Sequence, residues 1–384
     1  PLVDRLQIPF LTKKIGHRKS WIILMQLIIF LALLMWSFLD PTKNLALVIM
    51  VGLAIAISSA TQDITIDALR IEQIGENEGR SMAAGAAISV VGWWTGYKIG
   101  GVISLLSAEF LERKGLENYW QLSFLVLSAI ILICSFFLLY IPEKSSLQRK
   151  NIQDIADQKI LAKMGYTNKF SKIIFWLTGT VINPLTSFFK KNTVKVAIGI
   201  LGFIFLFKIG EAFLGRMSIV FYKEIGFSKT DIALYSKGIG WITTIVFTLI
   251  GGLFAIKMGL VKAMFVSGII MALTNLMFSV LAWVGNSEML FAFTVLLDDL
   301  AAAFATVAFV AFISALVDRS YTATQYALLA SIGTAGRTLF ASSSGALVDW
   351  LNGDWAIFFI ITALMVIPSL ICLLLIKKNL KLND

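Results

Sequence analysis

Charged side chains inside long apolar runs are the residues of this sequence most suited to chemistry. Charge is costly in hydrocarbon, so an ionisable residue there indicates a substrate or ion pathway. Asp298 lies ten residues into the run Glu288–Leu316, about 15 Å deep at the rise of a helix. A carboxyl at that depth can bind and release a proton. Its neighbour Asp299 points about 100° away around the same helix, so the two cannot both face one small site, and Asp299 is a candidate for substrate binding.

A second charged pair lies near the middle of another apolar run, Val194–Tyr222. Lys208 and Glu211 are three residues apart, so they share one face of a helix and are able to pair. Glu211 is therefore a second candidate for proton binding. The alternative is that these charges only neutralise each other and hold helices together.

Three basic residues within the apolar runs are suited to neutralise an anionic substrate: Lys208, Arg337 and Lys98. Trp94 precedes Lys98 by one helical turn, so both face the same way. An aromatic face beside a positive charge suits stacking against a sugar. Packing within the protein is the alternative role for this tryptophan.

Asp67 and Arg70 form a different kind of pair, near the end of an apolar run and spaced three residues apart. Together with the loop residues Asp4 and Arg5 they predict a charge latch that breaks and reforms during a conformational cycle. Asp63 lies one turn deeper on the same face as Asp67 and is a third candidate for proton coupling. Simple solvation at the membrane interface is the alternative for the pair.

Membrane-spanning helices must position these side chains. Hydrophobic residues make up 58% of the 384-residue chain and charged residues only 15%, which excludes a compact water-soluble domain. Ten apolar runs are long enough to cross a bilayer as helices, and their continuous apolarity excludes the alternating strands of a barrel. The runs are Ser20–Leu39, Leu45–Leu69, Ser81–Leu106, Tyr119–Ile141, Val194–Tyr222, Asp231–Ile256, Leu260–Val284, Glu288–Leu316, Tyr321–Asp349 and Trp355–Ile376.

The basic residues outside the apolar runs lie mostly on one side of the predicted membrane. Segments on that side carry +14, those on the other side carry −4, and the charges inside the runs cancel, which gives the net +10 of the chain. Lys and Arg concentrate in cytoplasmic loops, so both termini and the loop 142–193 are predicted to be cytoplasmic. In this scheme His17, Arg18 and Lys19 are topological anchors, and the positive charge indicates no nucleic-acid partner.

The amino-acid composition gives little support for an enzyme. The chain has one histidine, His17, and its two cysteines, Cys134 and Cys372, lie inside apolar runs. An intramembrane enzyme would need a nucleophile–base pair or a metal cluster at depth. No phosphate-binding loop or dinucleotide fingerprint is present in the sequence. The sequence therefore predicts a protein that is not an enzyme and that uses no cofactor or metal.

The long basic loop divides the chain into residues 1–141 with four apolar runs, the linker 142–193, and residues 194–384 with six runs. Within the linker, the stretch Phe170–Phe189 suits an interfacial helix, and a solvated linker is the alternative. The segment Asp67–Arg70 has a counterpart in Ala315–Arg319, so the two halves resemble each other. We therefore expect an all-α bundle of ten helices from a set of twelve, with the first two missing, in the parallel-repeat layout of the major facilitator superfamily.

Several polar motifs resemble segments of one family within that superfamily, the AmpG-type muropeptide permeases. The resemblance covers essentially the whole chain, and the order and spacing of the motifs carry it. They are Ser59–Ala68, Gly85–Gly92, Lys208–Phe213, Ala308–Phe312 and Ser320–Ala330, with Gly336-Arg337 following.

The resemblance implies a proton-coupled symporter that imports anhydro-muropeptides across the bacterial inner membrane as a monomer. By resemblance, Gln325 falls on a polar family position and joins the substrate candidates. One departure is that Trp93-Trp94 stands where the family pattern has an aromatic–basic pair, with Lys98 one turn later. Alternatives are transport of another bulky anion, such as an acyl-coenzyme A or a peptide, and a fragment that does not transport.

Overall fold

A computed structural model describes residues 1–75, 78–143, 155, 176, 178–228, 231–232 and 240–380. The apolar runs fold as helices because a helix satisfies all its backbone polar groups internally, which a lipid environment requires. The predicted all-α fold is confirmed. The helices before the linker are α1 (Leu2–Arg5), α2 (Leu11–Ile15), α3 (His17–Trp36), α4 (Leu45–Gln73), α5 (Gly79–Arg113) and α6 (Tyr119–Leu139).

Among the described residues of the second part of the chain, ten further helices follow a π-helical turn at Thr178–Ile182. They are α7 (Asn183–Lys191), α8 (Val194–Leu206), α9 (Ile209–Glu224), α10 (Gly240–Met258), α11 (Leu260–Val284), α12 (Glu288–Leu316), α13 (Thr322–Ala341), α14 (Ser344–Trp350), α15 (Trp355–Leu364) and α16 (Ile367–Ile376).

Three apolar runs that the sequence presents as continuous are each divided into two helices: α8/α9, α13/α14 and α15/α16. Pro368 stands at the start of α16, where its missing N–H and fixed φ end the preceding helix. Discontinuous helices in transporters free backbone groups at the point of division and are used there to bind substrates or ions. These divisions therefore point to where a site is built.

Within the described residues, seven helices are long and apolar enough to cross a membrane, counting α8/α9 and α15/α16 as one span each. The helix Ile242–Met258 is apolar but shorter. Many large apolar side chains are exposed on these helices, as expected where lipid replaces water. The count of ten spans remains a prediction.

The chain forms two compact units. The first contains Pro1–Gln73, Thr95–Leu185 and Asp318–Tyr326, and in it α3 packs against α4 and α6. The second contains Ile74–Trp94, Thr186–Val317 and Ala327–Asp384. Its α12 packs against α10 and α11, and α15 packs against α11.

The predicted domain boundaries at 141 and 193 stay a prediction, because most of the linker lies outside the described residues. Of the predicted interfacial stretch, the described residues Thr178–Phe189 fall in the π-helical turn and in α7.

Candidate functional site

A pair of charged side chains lies where the span α8/α9 is divided. Lys208 directly precedes α9, and Glu211 lies in the first turn of that helix. The Lys208 Nζ donates to Glu211 Oε1 over 3.2 Å and to Thr306 Oγ1 over 2.8 Å. Only 11% of the Lys208 side chain is exposed. Glu211 also benefits from its place at a helix N-terminus, where the dipole favours negative charge.

Thr306, on α12, is a partner that sequence spacing did not indicate. Its hydroxyl donates to the carbonyl of Ala302 over 2.7 Å. The single hydroxyl hydrogen is thereby used, so the oxygen accepts from Lys208. Thr306 therefore holds the ammonium group of Lys208 between α9 and α12.

Two glycines let neighbouring helices approach this division closely. A Cβ at Gly210 would overlap the carbonyl oxygen of Thr362 on α15. A Cβ at Gly336 would overlap the carbonyl oxygen of Phe205, near the end of α8. In both cases the obstacle is backbone, which cannot move aside as a side chain can. Glycine is therefore required on α9 and on α13 to assemble the helices around Lys208.

The substitution Gly336→Ala is expected to destabilise the protein by about 1–3 kcal/mol, because the added methyl group forces α13 away from α8. Gly345→Ala is the matched control, since a Cβ there meets no atom within 4 Å. Thermal unfolding of both variants in the same detergent tests the prediction. Equal unfolding midpoints for the two variants would contradict it.

Asp298 lies on α12 two helical turns before Thr306, half-buried and facing α11. The Thr274 hydroxyl on α11 lies 3.4 Å from Asp298 Oδ1 and 3.0 Å from the carbonyl oxygen of Met271, and its single hydrogen serves one of these acceptors at a time. The charges of Glu211, Asp299 and Lys208 all act on Asp298. The structure thus brings together four of the residues that the sequence singled out.

A buried aromatic side chain, Tyr222 on α9, also interacts with Asp298 and Asp299 and forms a hydrogen bond with Ser218. Its ring packs at 4.7 Å from that of Phe291. No motif or spacing in the sequence points to Tyr222. A tyrosine in an apolar run gives no signal by itself, because aromatic residues in membrane helices are common in packing.

The cluster has more acid than base. Within the described residues it contains three carboxyl groups, Glu211, Asp298 and Asp299, and one ammonium group, that of Lys208. Carboxylates that share a poorly solvated site repel each other, and a bound proton relieves that repulsion. The arrangement is therefore suited to take up and release a proton.

The other predicted site residues lie elsewhere. Trp94 packs with Val307 and Val310 of α12, next to Thr306 in sequence. Arg337 is exposed on α13, in the second unit. Lys98 is half-buried on α5 and Asp63 is exposed on α4, and both belong to the first unit.

Gln325 is fully buried, and its amide group is already paired with backbone groups. Its oxygen accepts from the N–H of Asp318 over 2.7 Å, and its nitrogen donates to the carbonyl of Pro184 over 2.8 Å. Gln325 therefore supports the loop before α13 and the start of α7.

The predicted latch residue Asp4 lies in a buried charge network with Arg18. The Arg18 guanidinium contacts Asp4 Oδ1 and Glu72 Oε1, each at 2.6 Å. Arg18 is fully buried, which corrects its interpretation as a topological anchor. The guanidinium, on α3, joins α1 to the end of α4.

Asp4 also caps the N-terminus of α13. Its carboxylate accepts from the N–H groups of Ala323 and Thr324 over 3.2 Å and 2.7 Å, and from the Thr324 hydroxyl over 2.6 Å. Burial raises the pKa of Asp4, but the Arg18 charge and the hydrogen bonds from Thr324 outweigh burial and hold the pKa below its ordinary value. The sequence contains no signal for Glu72 or Thr324, or for the role of Arg18 in this network, since nothing in the spacing of these residues relates them.

The pair Asp67 and Arg70 forms as predicted, with Arg70 Nη2 at 2.9 Å from Asp67 Oδ1. Both side chains are mostly buried. The Tyr326 hydroxyl forms a hydrogen bond with Asp67. Arg5 approaches the backbone at Gly179, where an added Cβ would overlap its guanidinium.

The Asp4→Asn substitution is expected to lower the free energy of unfolding by about 2 kcal/mol at neutral pH. This is the usual size of the net contribution that hydrogen bonds to a charged group make to stability. The folded-state pKa is depressed, so this stabilisation is present above the ordinary value of 3.8 and is lost as pH falls through the lower folded value. Unfolding of the wild type and the variant between pH 7 and pH 3 measures the difference. If the difference in unfolding free energy between the wild type and the variant grew as the pH was lowered, this assignment of Asp4 would be contradicted.

Comparison with known proteins gives one family for this chain. Residues 6–239 match the Major Facilitator Superfamily. The protein named AmpG 4 from Rickettsia felis is 33% identical over 386 residues, covering 99% of this chain and 84% of that protein. The anhydromuropeptide permease of Escherichia coli strain K12 is 28% identical over 389 residues, covering 100% of this chain and 71% of that protein.

Solved structures show the same fold at low sequence identity. The transporter FucP in its outward conformation has a TM-score of 0.67 at 13% identity, covering 94% of this chain and 84% of that chain. The proton:xylose symporter XylE has a TM-score of 0.63 at 14% identity, covering 96% of this chain and 81% of that chain.

Proposed function

The chain belongs to the AmpG-type membrane transporters of the major facilitator superfamily, and from this we propose that it imports anhydro-muropeptides across the bacterial inner membrane together with protons. The name of the Escherichia coli relative supports the substrate class. Muropeptides combine sugar rings with peptide carboxylates. A transporter for them needs a positive group for the carboxylates and a means of coupling to the proton gradient.

The observation that carries this proposal is the cluster at the division between α8 and α9. Lys208 is paired with Glu211 at 3.1–3.2 Å, and Asp298 adds a carboxyl group subject to both charges. When a proton binds to Glu211 or Asp298, Lys208 loses part of its attraction to the cluster. Its ammonium group then becomes available to an anionic substrate. Proton and substrate binding are thereby coupled.

The proposed substrate contacts are Lys208, Asp299, Arg337, Lys98 and Trp94. Arg337 and Lys98 supply further positive charge, and Trp94 and Asp299 provide an aromatic face and acceptors for sugar hydroxyls. Asp63 is retained as a third proton-coupling candidate. We leave Gln325 out of the proposed site, because both ends of its amide are paired with backbone groups.

Transport by alternating access requires contacts that form and break in each cycle. We assign this role to Asp4, Arg5, Asp67 and Arg70. Asp4 links α1 to the start of α13, so the network joins segments from both ends of the sequence. The proposed orientation has both termini and the linker in the cytoplasm, and the proposed state is a monomer.

Uptake of a labelled anhydro-disaccharide peptide into proteoliposomes tests the proposal. An inward-directed pH gradient should drive accumulation, and a protonophore should abolish it. Liposomes without protein and proteoliposomes without a gradient are the controls. Binding of substrate with no gradient-dependent uptake would contradict proton coupling.

Competition distinguishes the alternative substrates. Unlabelled acyl-coenzyme A or a free peptide should leave muropeptide uptake unchanged at concentrations where unlabelled muropeptide abolishes it. Stronger competition by either compound would assign the site to another bulky anion. The absence of uptake for every candidate would indicate a protein that does not transport.

A further inference from the structure

A basic cavity lies where α10 turns into α11, apart from the charged cluster described above. Its volume is about 180 Å³. Three of its lining side chains are positively charged: Arg80, Lys257 and Lys262. Among the described residues that line it, none is acidic. A concave site with three cations and no carboxylate suits an anion.

Two helix N-termini meet at the same cavity. α5 begins at Gly79 and α11 begins at Leu260, and both residues line the cavity. The capping residue of α11 is Gly259, which has no side chain of its own. The first N–H groups of a helix lack carbonyl partners within that helix, and its dipole favours negative charge there.

Tight packing within the second unit fixes these elements relative to one another. A Cβ at Gly252 on α10 would come 2.6 Å from the Cβ of Ala87 on α5. Ala87 and Val90 in turn pack against Val307 of α12. The start of α5 is therefore held against the end of α10, so the backbone around the cavity is fixed, and the three cations line it with exposed side chains.

Apolar side chains continue from the cavity along α10. Leu249, Ile250 and Leu253 are exposed on the two turns that precede Ala255, which lines the cavity. The α10–α11 turn lies on the side of the membrane that the charge pattern assigns to the cytoplasm. A ligand with a phosphate head and an apolar tail would satisfy both parts of this surface. Basic pockets between membrane helices on this side are suited to anionic headgroups.

We propose that this cavity binds a phosphate group, with the headgroup of an anionic phospholipid of the inner leaflet as the favoured source and free phosphate as the other. Arg80, Lys257 and Lys262 neutralise the phosphate, and the dipoles of α5 and α11 favour negative charge at the ends of the helices that line the cavity. Bound lipid would then tie the start of α5 to the α10–α11 turn. This inference does not depend on the substrate of the transporter.

The test compares a cavity variant, Arg80→Gln/Lys257→Gln/Lys262→Gln, with a control variant, Lys13→Gln/Lys14→Gln/Lys378→Gln. Both lose three positive charges, and the control lysines are exposed outside the cavity. The purified chains are titrated with phosphatidylglycerol, with phosphatidylcholine and with inorganic phosphate. Bound lipid is counted by native mass spectrometry, and the unfolding midpoint is followed with each ligand.

Phosphatidylglycerol is expected to bind the wild type and the control variant in preference to phosphatidylcholine, and the cavity variant at least about fivefold more weakly. Stabilisation by inorganic phosphate alone, lost in the cavity variant, would support the same site with free phosphate as its source. A charge-retaining variant, Arg80→Lys/Lys257→Arg/Lys262→Arg, should keep the binding. Equal behaviour of the cavity and control variants with all three ligands would overturn the proposal.

Discussion

Replacing Asp298 by Asn is expected to abolish the accumulation of substrate while leaving its exchange across the membrane intact. Asn has nearly the same shape as a protonated Asp but cannot release a proton. The cluster around Lys208 and Glu211 would then remain in a state equivalent to the protonated one. Substrate would still bind and cross, but its movement would no longer be tied to the proton gradient.

The expected accumulation ratio of substrate follows from the free energy of the imposed pH gradient. One pH unit corresponds to about 1.4 kcal/mol, or a tenfold concentration ratio for each coupled proton. Wild-type proteoliposomes with an imposed gradient of two units should therefore concentrate substrate by up to about 100-fold per coupled proton. The Asp298→Asn variant should reach a ratio of about one.

The matched comparison is Asp299→Asn, which makes the same chemical change one residue away on α12. We expect this variant to bind substrate more weakly but to retain gradient-driven accumulation. Counterflow of labelled substrate without a gradient verifies that each variant is intact. Accumulation by Asp298→Asn above equilibrium would transfer the proton-coupling role to Glu211 or Asp63.

A second large effect is expected from Arg18→Met. Arg18 is fully buried between Asp4 and Glu72, at 2.6 Å from each. Its removal leaves the Asp4 carboxylate buried without its counter-charge. Breaking a buried ion pair in this way costs about 3–5 kcal/mol, so the unfolding midpoint in detergent should fall sharply.

Arg113→Met is the control for this substitution. Arg113 pairs with Glu109, but 78% of its side chain is exposed, so its loss should cost less than about 1 kcal/mol. Adding Asp4→Asn to Arg18→Met should restore part of the stability, because the uncompensated carboxylate is removed. Equal unfolding midpoints for Arg18→Met and Arg113→Met would show that the buried network contributes little.

The same network connects stability to the proposed cycle. Asp4 caps α13, and Arg18 holds Asp4 against the end of α4. A latch that opens in every cycle must not be stabilised by more free energy than the transport cycle supplies. Arg18→Met is therefore expected to shift the balance between conformations as well as to lower stability.

Local features of this protein were predictable from the sequence. The apolar runs predicted the helices, because in a bilayer only internal hydrogen bonding satisfies the backbone. The pairs Lys208/Glu211 and Asp67/Arg70 were predictable from their spacing, since residues three apart are neighbours on any helix. Both pairs are present in the structure. The motif order also sufficed to indicate the family.

The divisions of the spans and the long-range partners were not predictable. Thr306 follows Lys208 by 98 residues, and Thr324 follows Asp4 by 320. No spacing rule relates such residues, because their contact depends on how whole helices pack. Gln325 is an example. Its position in a polar motif suggested a substrate contact, but its amide forms hydrogen bonds with the backbone groups of Asp318 and Pro184.

Sequence alone therefore sufficed to identify which segments form helices, and its predictions for the sides of the membrane and for the depth of each charge remain predictions. Only the tertiary structure decided which of those charges act together. Hydrophobicity and helical period are properties of each segment, so the residues of that segment alone are enough to reveal them. The Lys208 cluster and the Arg18 network instead arise from close helix contacts, such as the one that Gly336 permits against Phe205, and those contacts exist only once the chain has packed.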